Sequence, residues 1–355
     1  MPFRLADFYN ETRAARKIIV IDLGYLGDSI HLLPALWEIK RNYPEAELHV
    51  ASAPVGSELL AMASCADRAW SLPRSSQGTP WLEQWRWIRN VRRQHFDLAF
   101  NFSGTDRTII LTRLTGARWR VGFAGGRHHF WNTWLVPHWV PRVDRTLHVS
   151  EQRRQVLAAC GLSLGPAQYG LRVPESAMRW AEANVPQGAV HLSINAGHAL
   201  KEWPLAHWIG LAQTLLEEFP VMQLVVTGTK SPREQERLQR LAKALPGQRL
   251  HLYAGNLTIA QLAALLTRCR LHVGADSGAL HLAGVLGLPT VSLFREYAGL
   301  GEWLPRGEKH RFVVAPCGCV NQKVQPCAED AHPRCLAGIT VETVHRLIQE
   351  LMTSG

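Results

Sequence analysis

Three short segments carry residue types suited to a phosphorylated, anionic ligand. In the first, the apolar run 17–23 leads into Gly24-Tyr25-Leu26-Gly27-Asp28. Gly27 permits a tight turn and leaves room for a ligand, and Asp28 follows it just ahead of a helix. In the second, strand-like residues 189–194 give way to a Gly-containing loop with Lys201 ahead of Trp203-Pro204. A loop lysine beside free backbone N–H groups is a good phosphate ligand. In the third, 271–275 delivers Asp276-Ser277-Gly278 to the start of a helix that carries His281 in its first turn. Amides at such a helix end, aided by the helix dipole, attract an anion. Each segment also has a plainer reading. Asp28 caps its helix, as Asp276 or Ser277 caps the later one; Lys201 is a solvated lysine beside a packing turn; His281 is a satisfied core histidine.

Whatever these residues do, strands must present them. Residues 17–23, 47–52, 97–102 and 118–123 read as β-branched or apolar strands, separated by helical periodicity at 29–42, 57–65, 81–95 and 108–116. Residues 124–147, rich in Arg, His, Trp and Pro, have no clear period and read as a long loop before a helix at 148–160. Pro and Gly residues mark 163–190 as a linker region. A second alternating series runs through strands at 189–197, 222–228, 250–255, 271–276 and 289–294, with helices between. Such alternation implies parallel βαβ units. The expected fold class is α/β, with two Rossmann-like, doubly wound domains over residues 1–175 and 176–338. The amphipathic segment 339–355 is expected as a helix that crosses back to the first domain. In open sheets of this kind, ligands bind beyond the carboxyl ends of the strands, where all three segments fall. No GxGxxG dinucleotide fingerprint is present.

The chain has 355 residues, 46% of them hydrophobic, and a formal net charge of +10. That balance argues against disorder and favours a polyanionic partner. No nucleic-acid motif stands out, so a phosphorylated substrate at an anionic surface is the better fit. No apolar run reaches membrane-spanning length, and the N-terminus lacks a signal-peptide core. Both point to the cytoplasm, with room for peripheral contact at an inner membrane.

Taken together, the three segments resemble glycosyltransferase family nine, which includes the lipopolysaccharide heptosyltransferases. The shared elements are Gly27-Asp28 with Pro34-Ala35-Leu36, then Lys201-Glu202-Trp203-Pro204 to Trp208, then Asp276-Ser277-Gly278 to His281 and Ala283, followed by Gly287 to Val291. The resemblance implies a GT-B fold, with the acceptor on the N-terminal domain and the sugar donor on the C-terminal one. It also implies inverting, metal-independent transfer of a heptose from ADP-heptose to a lipopolysaccharide inner-core acceptor. Asp28 then matches the general base. Gly27, Lys201, Asp276, Ser277, Gly278 and His281 match the donor site, with Lys201 helping to stabilise the departing diphosphate. An acidic residue that holds the ribose falls in 228–236, as Glu234 or, second, Glu236. Arg107, Arg118, Arg120 and Arg127 fall where an acidic glycolipid acceptor would bind. Two other readings stay open: the same fold acting on another nucleotide sugar or acceptor, and a nucleotide-binding protein without turnover.

Cys317, Cys319, Cys327 and Cys335 cluster near the C-terminus. Their C-x-C-x7-C-x7-C spacing differs from the usual zinc pair. A structural metal, free thiols and a disulfide all remain open there, and no cofactor is expected for catalysis.

Overall fold

The β-branched runs become buried parallel strands in a computed structural model that describes residues 5–72, 80–123, 130–140, 143–247, 249–255, 257–319, 327 and 333–353. The chain divides into two units, Met1–Arg172 and Val173–Gly355. The first unit contains strands β1 (Lys17–Asp22), β2 (Glu47–Ser52), β3 (Arg68–Ser71), β4 (Leu98–Asn101), β5 (Trp119–Phe123) and β6 (His138–Val140). They form one parallel sheet in the order β3-β2-β1-β4-β5-β6. Its helices are α1 (Phe8–Thr12), α2 (Leu26–Asn42), α3 (Pro54–Leu60), α4 (Trp81–Arg92), α5 (Asp106–Leu114), α6 (Phe130–Leu135) and α7 (Val149–Ala159). The second unit contains β7 (Ala189–Ser193), β8 (Leu224–Gly228), β9 (Leu250–Ala254), β10 (Cys269–Ala275), β11 (Thr290–Arg295) and β12 (His310–Ala315). Their order is β12-β11-β10-β7-β8-β9, again all parallel. Its helices are α8 (Glu175–Asn184), α9 (Leu205–Glu218), α10 (Pro232–Ala244), α11 (Ile259–Arg268), α12 (Gly278–Val285), α13 (Arg334–Ala337) and α14 (Val341–Thr353). Each unit is an α/β doubly wound sheet. Connections leave to opposite sides at β1/β4 in one and at β7/β10 in the other, and crevices form at those pairs.

Three local features differ from the sequence expectation. The stretch 124–147 holds α6 and β6 among its described residues, although its Trp and Pro content hid both. Within the expected linker, α8 packs Ala177 and Ala181 into the second unit; Pro174 and Pro186 punctuate its ends rather than the whole segment. The C-terminal helix α14 places Val344 and Ile348 in the second unit's core, beside Trp208 and Leu211. Its apolar stripe, expected to reach the first domain, is used there.

The central seam of the second sheet is polar. His191 on β7 and His272 on β10 lie in register, both fully buried, with Nδ1 atoms 2.8 Å apart. One ring must donate and the other accept, so the two cannot be protonated together. His191 Nε2 stands 2.9 Å from Thr227 Oγ1. Burial pulls the His191 imidazole down to about 3 and His272 well below its ordinary value. Unfolded histidines titrate near 6.5, so this contribution to stability is complete above that pH. It is lost as the pH falls towards 3, at up to about 1.4 kcal/mol per pH unit for each ring. Urea midpoints should therefore drop between pH 7 and pH 5; a flat profile would show that the pair is not held neutral.

Candidate active site

In the second unit the crevice is built on two anchors. Trp203 and Trp208 are both fully buried, edge to face at 5.1 Å. The Trp203 indole donates to the Ile339 carbonyl at 2.9 Å, and Pro204 occupies the N-cap of α9. The Trp-Pro-x-x-x-Trp pattern is thus a core clamp. It fixes the short 3-10 turn Ala199–Lys201 just before it. From that turn Lys201 Nζ reaches Asp276 Oδ2 at 2.6 Å. Asp276 follows the carboxyl end of β10, so the two residues join the ends of the central strands.

Asp276 is the hub of this cluster. His281 Nε2 stands 3.7 Å from its Oδ1, and the Tyr297 hydroxyl donates to its Oδ2 at 3.5 Å. Burial alone would raise the Asp276 carboxyl, but His281 and Lys201 outweigh it and hold the group down at about 2. Asp276 is therefore an anion throughout the neutral range, and it does not cap α12. Neither does Ser277: it sits at the N-cap position with no side-chain cap bond, and its buried hydroxyl has no partner among the described residues. The cap reading thus fails for α12. Its first amides are left for a ligand, at the positive end of the helix.

A second carboxylate network shapes the loop before Lys201. Glu202 is buried and accepts from Ala196 N at 3.1 Å, with Arg233 at 3.1 Å and Arg237 at 3.6 Å. Burial raises its carboxyl, against the pull of Arg237. Arg237 also donates to the Ile194 and Trp203 carbonyls. Glu234, in the first turn of α10, is buried rather than exposed and accepts from Thr229 N at 2.7 Å. Glu236 lies outside this arrangement, exposed and 3.9 Å from Arg240 one turn on. Of the two candidates, the structure brings only Glu234 to the end of β8.

In the first unit α2 begins at Leu26, earlier than expected, which places Gly27 and Asp28 inside its first turn. Asp28 Oδ2 accepts from Tyr25 N at 2.7 Å, so the capping role is real. The other oxygen is available for a second one: Oδ1 lies 3.5 Å from Arg153 Nη2. Arg153, on α7, also pairs with Asp22 at 2.7 Å and donates to the Asp28 carbonyl. Asp22, the last residue of β1, is buried and accepts from Gly24 N at 2.9 Å and Ser103 Oγ at 3.2 Å. Burial raises its carboxyl and Arg153 opposes the rise. Gly24 is a glycine that the geometry demands. A Cβ there would fall 2.3 Å from Asp28 Cβ, closer than any real contact. Asp22 and Arg153 were missed in the sequence. A carboxylate closing an otherwise apolar strand was the available signal; Arg153 is one of several arginines and carried none.

The four candidate acceptor arginines separate. Arg107 lies half-buried at the start of α5, just past the end of β4, and burial lowers its guanidinium. Arg118 and Arg120 lie at the opposite end of their strand. Trp119 is level with Leu98, and Leu98 with Ile18, four residues or roughly 13 Å below Asp22. Arg120 donates to the Leu135 and Ala117 carbonyls, while Arg118 lies over the Trp119 ring at 5.5 Å. The strand's direction, which composition cannot show, takes both from the crevice. Arg127 lies outside the described residues. Cys317, Cys319, Cys327 and Cys335 are all free thiols. Among the described residues, no group of three or more potential ligands is placed to hold a metal, so neither the disulfide nor the structural-metal reading gains support.

Comparison with known proteins agrees with this layout. The family model described as glycosyltransferase family 9 (heptosyltransferase) matches residues 84–332. Lipopolysaccharide heptosyltransferase 1 of Pseudomonas aeruginosa is 28% identical over 88% of this chain and 89% of its own length. Among solved structures, the E. coli ADP-heptose lipopolysaccharide heptosyltransferase II superposes with a TM-score of 0.76 at 19% identity, covering 95% of this chain and 99% of that one. E. coli heptosyltransferase WaaC with ADP-2-deoxy-2-fluoro heptose gives 0.73 at 17% identity, covering 94% and 99%. These neighbours share the GT-B type of fold. With two doubly wound units and a family match over more than half of its length, the chain belongs to glycosyltransferase family 9, the heptosyltransferase family, and is a glycosyltransferase.

Proposed function

We propose that this enzyme transfers a heptose from ADP-heptose to a lipopolysaccharide inner-core acceptor, with inversion and without a metal ion. One observation carries the reading: Lys201, Asp276 and His281 meet at the uncapped start of α12. That arrangement suits a diphosphate, which takes the α12 amides and the Lys201 ammonium. The names of similar proteins supply the sugar and the acceptor, and a neighbour that holds an ADP-heptose analogue supports the nucleotide. In this reading residues 176–338 serve the donor, with Glu234 on the ribose, and residues 1–175 serve the acceptor, with Arg107 for its anionic groups. The Asp28 carboxylate takes the proton of the acceptor hydroxyl. The freed oxygen attacks the anomeric carbon from the face opposite the diphosphate, the C–O bond to phosphate breaks, and ADP leaves with the bonding electrons. Lys201 and the helix end stabilise the charge that develops on the leaving group.

Fixed positive groups of this kind can stabilise a departing diphosphate without a divalent cation. Turnover should therefore persist in excess EDTA. Immediate loss of activity, restored by Mg²⁺ with no change in melting temperature, would overturn the metal-independent mechanism. The reading as a whole is tested by supplying ADP-heptose and a lipopolysaccharide inner-core acceptor lacking heptose. The expected product carries one more heptose; no product, with ADP-heptose unbound in calorimetry, would refute it.

A further inference from the structure

We infer that the outer face of α4, continued by α5 and α6, docks on an anionic phospholipid surface. Among the described residues, all the exposed tryptophans of the chain lie here: Trp81 at 72%, Trp85 at 55% and Trp134 at 81% relative exposure. Leu82 on α4 and Ile110 on α5 are exposed beside them. The three helices are neighbours, α5 packing against both α4 and α6. The inner face of α4 is already used: Val91 is buried, and Trp87 and Ile88 pack on the first unit's core. The fold therefore holds the helix from one side and leaves its tryptophans on the other.

Charge identifies the partner. The same outward side of α4 and its C-cap present Arg86, Arg89, Arg92 and Arg93, all exposed, against Glu83 alone. Trp81, Trp85, Arg89 and Arg92 fall at three- and four-residue spacings, so indoles and guanidinia share one stripe. Tryptophan settles at the boundary of headgroup and acyl chain, and arginines beside it are drawn to anionic lipid. An apolar protein partner would not call for four arginines, and a nucleic acid would not call for an exposed leucine and isoleucine. The inference rests on the proposed function in one respect: an acceptor anchored in lipid makes such docking useful.

The test is sedimentation of the whole protein with vesicles of phosphatidylcholine alone and of equal parts phosphatidylcholine and phosphatidylglycerol. Binding is expected only to the anionic vesicles and should weaken with salt. R89Q/R93Q should lower partitioning about thirtyfold, at roughly fivefold per arginine. W81S/W85S should lower it on the order of tenfold or more. Equal partitioning of wild type and both variants, or no binding by wild type, would overturn the inference. So would a concentration-dependent dimer that W81S/W85S disperses, since the patch would then cover a second copy. Transfer to a water-soluble, deacylated acceptor should be unchanged in both variants and reduced only when the acceptor is in vesicles. If transfer to the soluble acceptor proceeds while vesicle binding fails, the surface assignment falls alone. If vesicles bind but no sugar moves, the proposed function falls alone.

Discussion

Asp28→Asn is expected to lower turnover roughly 10²- to 10⁴-fold, the usual value of a positioned general base, while donor affinity stays unchanged. The substitution separates the residue's two roles. An asparagine oxygen can still accept from Tyr25 N, so the start of α2 stays capped. Arg153 keeps Asp22 as its partner at 2.7 Å, so no charge is stranded. Asp28→Ala removes the cap as well and should cost about 0.5–2 kcal/mol of stability on top. Steady-state rates with calorimetry for ADP and a thermal melt measure all three quantities. Normal turnover in D28N would remove Asp28 from the chemistry. A large loss of stability in D28N with turnover intact would leave it a cap only.

Lys201→Met should lower kcat/KM by about 10²- to 10³-fold, comparable to removing one donor that stabilises a departing anion, and should weaken ADP binding in parallel. The methionine keeps the length of the stem, so the 3-10 turn and the Trp203 clamp behind it stay in place. Asp276 would lose its partner at 2.6 Å but keep His281 nearby. Lys201→Arg should recover part of the affinity, since it restores the charge without the compact ammonium. Unchanged ADP affinity in K201M, measured by calorimetry, would show that the diphosphate binds elsewhere.

Much of this arrangement was legible in the residues themselves. Alternating strand and helix periods gave both doubly wound units, because buried parallel strands read as short apolar runs. The three crevice segments were legible because ligands meet the carboxyl ends of strands, and glycines beside titratable residues mark those ends. What stayed hidden depends on long-range contact. The Asp22–Arg153 pair spans 131 positions, and no local pattern joins a strand end to a helix that distant. Nothing local in the sequence distinguishes Glu202 between Lys201 and Trp203, although its carboxylate organises the loop. Arg118 and Arg120 misled for a related reason. Clustering in sequence says nothing of which end of a strand a residue occupies, and theirs is the amino end.

The bond from the Trp203 indole to the Ile339 carbonyl, with α14 laid over α9, has a consequence for the order of synthesis. The lysine proposed to meet the diphosphate is made well before the backbone that steadies it. While residues 339–353 are still inside the ribosome, Trp203 lacks its acceptor and α9 lacks its cover. The turn carrying Lys201 is then held only by Trp208 and by Arg237 on the Trp203 carbonyl. A nascent chain released short of α14 would contain every residue of the crevice and still bind nucleotide poorly.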